Sequence, residues 1–314
     1  MIRHTAVLVL AVLALSAAPS GAPAAPQVEP LKVLATVPTY GRLAEQIGGD
    51  LVEVVTLLRP TQDMHSMVAT PSIVARARGA DVVLHTGFDA EPWLAPLLRQ
   101  SGNVDLMPGG PFSVGMADGV RLKQVPSVVS RSQGDVHALG NPHVWTDPLV
   151  VRALGQRVRD VLADARPAAA ETFTSRHAAF DRRLTEALVG WLTRYAGLDG
   201  EPVAVYHMSW IYFLDRFGMT EAATVEPKPR VTPTAGHLDD LVDTIEERGI
   251  DVVIREPYHH PQATDFLAER TGVAVVELST HPGFPEGVDG IVEHFEWNLS
   301  RLAEALEVPV APAN

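Results

Sequence analysis

Val33–Val54 reads VLATVPTYGRLAEQIGGDLVEV, and this stretch sets the fold class. Val33–Val37 is a short apolar run leading into Pro38, as a buried strand would. Tyr40, Leu43, Ala44 and Ile47 then recur at helical spacing, and Gly48-Gly49 stops that helix. Leu51–Leu58 is the next apolar run and predicts a second strand. A strand, a helix and a strand with so little chain between them form a parallel crossover unit.

The alternation continues outward. After a loop, Thr70-Pro71-Ser72 supplies a cap residue and a first-turn proline for a short helix, and Ala80–Leu84 is a further strand. Far downstream, Pro202–Tyr206 is a strand, Trp210–Phe217 a short helix, and Leu238–Arg248 a helix ended by Gly249. Asp251–Ile254 (strand), Gln262–Thr271 (helix), Val273–Leu278 (strand) and Val292–Leu306 (closing helix) complete the series. The expected architecture is α/β, with two lobes, each a mainly parallel sheet flanked by helices.

Two stretches separate these halves. Residues 109–136 are rich in Gly, Pro and Ser without a clear period and read as an irregular excursion. Pro148–Ala163 reads as a helix, and Pro167 opens a longer one in which Phe173, His177, Phe180, Leu184, Leu188, Trp191 and Tyr195 form one stripe up to Gly197. Such a helix, of roughly 30 residues and about 45 Å, is long enough to be a spine joining the lobes. A coiled-coil partner is the alternative, but the stripe covers only about three heptads. The expected boundaries are a signal peptide at 1–24, a first lobe at 25–147, a helical linker with the spine at 148–199, and a second lobe at 200–314. The sequence shows no internal repeat.

The segment MIRHTAVLVLAVLALSAAPSGAPAAP begins with Arg3 and His4, continues through the apolar run Ala6–Leu15 and offers Ala22-Pro23-Ala24 for cleavage. Its apolar run is too short to span a bilayer, so a cleaved secretory signal is expected rather than an anchor. The chain has no cysteine, so neither disulfides nor lipidation at an N-terminal cysteine are expected, and the mature protein reads as soluble, periplasmic and monomeric. Its net charge of −13, from 25 basic and 38 acidic residues, argues against nucleic-acid binding. Hydrophobic residues make up 46% of the chain, ample for a core.

Three histidines stand in distinctive surroundings: Asp63-Met64-His65, Asn141-Pro142-His143-Val144-Trp145 and Tyr206-His207-Met208-Ser209-Trp210. They are 78 and 64 residues apart, each in a loop or at a strand edge. Strand ends in an α/β chain converge on one crevice, so distant histidines can meet there, and neutral imidazole suits a borderline ion such as zinc.

With these motifs assembled, the chain resembles the zinc- and manganese-specific solute-binding proteins of bacterial ABC importers, the ZnuA/TroA-like family. The likeness runs from Val33 to the C-terminus. It rests on the opening stretch, on DMHSMVATPSIVARARGADVVLHTG with EPWL, and on DVHALGNPHVWTDP, AVYHMSWIYFLDRFG and REPYHHPQATDFLAERTGVAVVEL in order. The resemblance implies a metal held between two lobes joined by a long helix, no enzymatic activity, and partnership with a membrane permease and its ATPase. A metallochaperone is a further candidate partner. It places ligands at His65, His143 and His207.

At the fourth position relatives carry a carboxylate, whereas this chain reads Leu278-Ser279-Thr280-His281-Pro282-Gly283. His281, 74 residues after His207, is therefore a candidate fourth metal ligand, with Glu256 or water as alternatives. A histidine-rich set favours Zn²⁺ as the transported ligand; manganese prefers more oxygen donors. Another divalent metal, or a secreted zinc hydrolase with three ligands and water, are the competing readings, though no His-Glu-x-x-His helix is present.

The remaining histidines divide by setting. Asp135 and His137 are candidates to capture metal ahead of the cleft, and His259 or His260 to support a ligand beside Glu256. His85 is a more distant candidate. His177, His237 and His294 lie in or beside helical patterns and read as structural or exposed. Trp145 and Trp210 are expected to wall the cleft or pack the core.

Overall fold

The computed structural model describes residues 29–88, 90–127 and 137–312; the signal segment and Asp135 lie outside them. The first lobe runs β1 (Leu31–Ala35), α1 (Pro38–Gly48), β2 (Val52–Thr56), α2 (Pro71–Ala77), β3 (Val82–His85), α3 (Leu94–Ser101) and β4 (Ser113–Gly115). Two long helices follow, α4 (Pro148–Ala165) and α5 (Ala170–Arg194). The second lobe runs β5 (Pro202–Val205), α6 (Ile211–Arg216), β6 (Thr220–Thr224), α7 (Ala235–Arg248), β7 (Val252–Arg255), α8 (Gln262–Thr271), β8 (Ala274–Glu277) and α9 (Ile291–Ala305).

The sheets are β2-β1-β3-β4 and β6-β5-β7-β8, and every pairing is parallel. Counted from its own first strand, each lobe has the same order, so the lobes share a topology that no sequence repeat discloses. In that order the chain reverses direction across the sheet between the first and third strands, and loops leaving the strand ends open a crevice there.

Local sequence explains the element boundaries. Pro38, Pro71 and Pro148 each occupy the first turn of a helix, where a missing N–H costs nothing. Thr70 and Thr234 cap α2 and α7 through their side chains, and Gly249 ends α7 in the left-handed conformation. Asp147 caps α4 by accepting from Leu149 N at 2.8 Å, and the same carboxylate takes two bonds from Arg216 at 2.8 Å each. One buried aspartate thus ties a helix of the linker to α6 of the second lobe.

The expected spine is a single turn of 3-10 helix at Pro167–Ala169 followed by a 25-residue α-helix, about 37 Å long. Its stripe buries Phe173, Phe180, Leu184, Leu188 and Trp191. These side chains belong to one hydrophobic cluster that also includes Val33 and Val37 of the first lobe and Val203, Val252 and Ile254 of the second. At its C-terminal end, Glu296 of α9 accepts from Trp191 Nε1 and Tyr195 OH at 2.6 Å each, and from Arg194 Nη1 at 2.9 Å. The spine is therefore continuous with both lobes.

Strands β4 and β6 were not expected from the sequence. β4 lies in the excursion read as irregular, and β6 is the edge strand TEAAT. Among the described residues, no helix is long and apolar enough to cross a membrane.

Candidate metal centre

Three of the four candidate ligands meet. His65 lies in the 3-10 turn Met64–Ser66 that follows β2, His143 just before α4, and His207 two residues beyond β5. One ring nitrogen from each falls within 4.8 Å of the others. The ring centroids are 5.5 Å apart for His65 and His143, 5.8 Å for His65 and His207, and 5.5 Å for His143 and His207. Nitrogens sharing a tetrahedral zinc are about 3.3 Å apart, so a small further approach completes the geometry.

Each histidine has a local reason for its position. Asp63 accepts from His65 N at 2.8 Å and from Ser66 Oγ at 2.6 Å, which folds the tight turn that presents His65. Asn141 Oδ1 faces both His143 N at 3.0 Å and His143 Nδ1 at 2.9 Å. The Asn141 amide nitrogen donates to Gln124 Oε1 and to Met208 O, so its carbonyl is the end turned to the imidazole. His143 therefore carries its proton on Nδ1 and offers Nε2. Glu226 Oε2 lies 2.7 Å from His207 Nδ1 and fixes that ring in the same sense.

The electrostatics differ between the two buried rings. Burial, reinforced by repulsion from His65 and His207, pushes His143 well below the ordinary histidine range, so it is neutral at physiological pH. Burial also pushes His207 down, but the hydrogen bond and charge of Glu226 outweigh it and leave His207 raised. Two cavities meet at His207 and Glu226. One, about 670 Å³, is lined also by Asp63, Ser66, Arg230 and His259; the other, about 290 Å³, by His137, Asn141 and His143.

The profile of the family described as zinc-uptake complex component A, periplasmic (ZnuA), matches residues 33–305. The chain belongs to the ZnuA family. It is 22% identical over 292 residues to the zinc-binding lipoprotein AdcA of Streptococcus pneumoniae, covering 88% of this chain and 56% of that one. The chain thus spans little more than half the length of that relative. It is 24% identical over 273 residues to the manganese-binding lipoprotein MntA of Halalkalibacterium halodurans, with 85% of each covered. A crystal structure of ZnuA superposes with a TM-score of 0.75 at 21% identity, over 88% of this chain and 99% of that one. The two-lobed fold is therefore that of the ZnuA structures, and the family is one of uptake components rather than enzymes. The hydrolase reading finds no support.

His281 is not in the converging group. Its Nδ1 lies 2.9 Å from Thr39 Oγ1, and its ring stacks on Trp145 at 5.1 Å, while Trp145 also meets His143 at 5.3 Å. Burial, with the neighbouring His294, pushes His281 down to about 3. Glu256 is fully buried: Oε1 accepts from Trp210 Nε1 at 3.1 Å, while Oε2 lies 2.9 Å from His259 Nδ1 without a hydrogen bond between them.

Other sequence candidates take varied places. His137 packs its ring 5.0 Å from His65, so the DVHALGNPHVWTDP motif brings a further imidazole to the cluster's edge. His259 stacks on Tyr206 at 4.0 Å and stands 6.3 Å from His207, while His260 accepts from Gln262 N on the surface. His85 faces Ser113 Oγ at 3.2 Å, and His237 faces Val225 O at 3.1 Å. His177 is partly buried on the spine and His294 buried on α9. Glu226 went unrecognised in the sequence because it follows β6, a strand the pattern did not disclose. Asn141 stood inside a quoted motif, and only its Asn-Pro-His spacing hinted at its part.

Proposed function

We propose that this protein is an extracytoplasmic receptor that takes Zn²⁺ between its lobes on His65, His143 and His207 and delivers it to an ABC permease and its ATPase. The supporting observation is the pair of Nδ1 contacts, Asn141 to His143 and Glu226 to His207, which reserve both Nε2 lone pairs for one shared ion. Of the carboxylates around the cluster, Asp63 holds the His65 turn, Glu226 holds the ring of His207, and Glu256 accepts from Trp210 Nε1 through one oxygen. A nitrogen-dominated set with water in the fourth position suits zinc better than manganese. In this reading the N-terminal signal sends the chain to the periplasm and is cleaved.

The test is calorimetric and thermal. The mature protein is expected to take up one Zn²⁺ per chain and to bind Mn²⁺ more weakly. Ligand at 100 times Kd stabilises the folded state by about 2.7 kcal/mol. An identical melting temperature in chelator and in saturating zinc overturns the proposal. Radioactive zinc uptake by a strain lacking this gene, with and without the restored gene, tests delivery.

A further inference from the structure

His65 and His207 belong to different lobes, and each sits on a short turn rather than on a strand. Something must hold the two turns in register. The chain between β6 and α7 supplies it. Arg230, at φ 62, donates its backbone N–H to Glu226 Oε2 at 2.8 Å, the same oxygen that faces His207 Nδ1 at 2.7 Å. Its guanidinium crosses to the first lobe. There Nη1 donates to His65 O at 3.3 Å, Nη2 donates to Ser66 Oγ at 2.8 Å, and Nε stands 3.6 Å from Asp63 Oδ2.

We infer that Arg230 is a positioning and specificity-determining residue of the metal centre, bridging the His65 turn to the carboxylate that orients His207. The inference rests on the metal reading given above. A continuous path runs from His207 through Glu226 and Arg230 to Asp63, Ser66 and the His65 carbonyl. The same contacts have a second consequence. A cation held by three neutral imidazoles attracts any carboxylate within reach, and Asp63 and Glu226 both flank the cluster. Arg230 neutralises one and hydrogen-bonds the other, so both orient histidines rather than ligate. Hard oxygen donors are thereby kept from a site whose nitrogen content selects zinc over manganese. The arginine fork suits this work, because one planar group meets a carbonyl, a hydroxyl and a carboxylate at once. Its side chain remains 41% exposed, so water replaces these bonds readily when the lobes part.

The test compares wild type with Arg230→Gly and Arg230→Lys. Glycine removes the guanidinium and tolerates the positive φ; lysine keeps the charge without the fork. Zinc release into excess chelator is followed by stopped flow, the Zn²⁺-to-Mn²⁺ affinity ratio by competition, and apo-protein stability by thermal melting. Arg230→Gly is expected to release zinc about tenfold faster and to lose part of its preference for zinc, with apo stability nearly unchanged. Arg230→Lys is expected to recover part of both. Release and preference within twofold of wild type in Arg230→Gly overturn the inference while leaving the zinc site standing. So does a fall in apo melting temperature with release unchanged. A wild-type protein that binds no divalent ion overturns the metal reading and this inference together.

Discussion

Glu226 sets a carboxylate oxygen 2.7 Å from Nδ1 of His207, although the two residues are 19 positions apart and follow different strands, β6 and β5. Those strands pair directly, so the loops leaving them emerge side by side. The carboxylate fixes the ring's orientation and raises its basicity, which strengthens a donor toward a metal. Glu226→Gln keeps the shape and removes the charge. Zinc affinity is expected to fall about 10- to 100-fold, the usual cost of losing such a partner. Chelator competition measures it, and an affinity equal to wild type removes Glu226 from the centre.

His65→Ala, His143→Ala and His207→Ala are each expected to weaken zinc binding sharply, and His177→Ala, on the spine, to leave it unchanged. His281→Ala provides the sharper distinction. With its ring stacked on Trp145 and its Nδ1 on Thr39, its loss is expected to lower stability by about 2–4 kcal/mol through the cavity left behind, while zinc affinity changes little. X-ray absorption on the wild type is expected to count three imidazoles and one oxygen. Four imidazoles, with affinity lost in His281→Ala, would restore His281 as a ligand.

Most of the fold was legible because strong periodic segments carry it: the strand pattern of Val33–Val37, the stripe of α5, the glycine stops. The misses are helix α3 and two edge strands. β4 is three residues long, and TEAAT of β6 has neither the alternation nor the β-branched content that marks a strand; each is defined by the neighbour it pairs with. The centre divides in the same way. Histidines in unusual local contexts can be picked out of a sequence, whereas Glu226 and Arg230 look like ordinary surface charges. Their part depends on two loops meeting, which pairing of β5 with β6 and contact between lobes decide. His281 was a reasonable candidate by position, yet Thr39 and Trp145 hold it in the core.

The seam between α4 and α5 gives a stability prediction. A Cβ on Gly155 would lie 2.9 Å from Phe180 Cε1 and 3.2 Å from Cδ1, and Phe180 is buried at 2% exposure. Gly155→Ala is expected to destabilise by about 1–2 kcal/mol, the strain of overpacking less the gain in helix propensity. Gly190, on α5, has open space where its Cβ would lie. Gly190→Ala is expected to stabilise by up to about 1 kcal/mol. Urea denaturation of both variants checks the pair, and equal effects would mean that the α4–α5 seam yields more easily than its spacing implies.

Acid sensitivity of the metal-free protein follows from histidines away from the cluster. Burial pushes His294 down to about 3 and His85 down to about 4. In the unfolded chain both titrate near 6.5. Between those values the unfolded state binds protons that the folded state refuses, so stability rises with pH. The contribution is fully present above about pH 6.5 and is lost as pH falls toward 4, at up to about 1.4 kcal/mol per pH unit for each histidine. His294 meets Asn298 Nδ2 only at 3.4 Å, its Nδ1 is buried with no hydrogen-bond partner among the described residues, and Asn298 keeps its bond to Ser279 O at 2.9 Å. His294→Leu is therefore expected to be near neutral at pH 7 and to flatten the slope between pH 4 and 6.5 by about one proton. Denaturation of apo protein in chelator across that range measures the slope, and a variant with the wild-type slope would mean that His294 is not among the groups responsible.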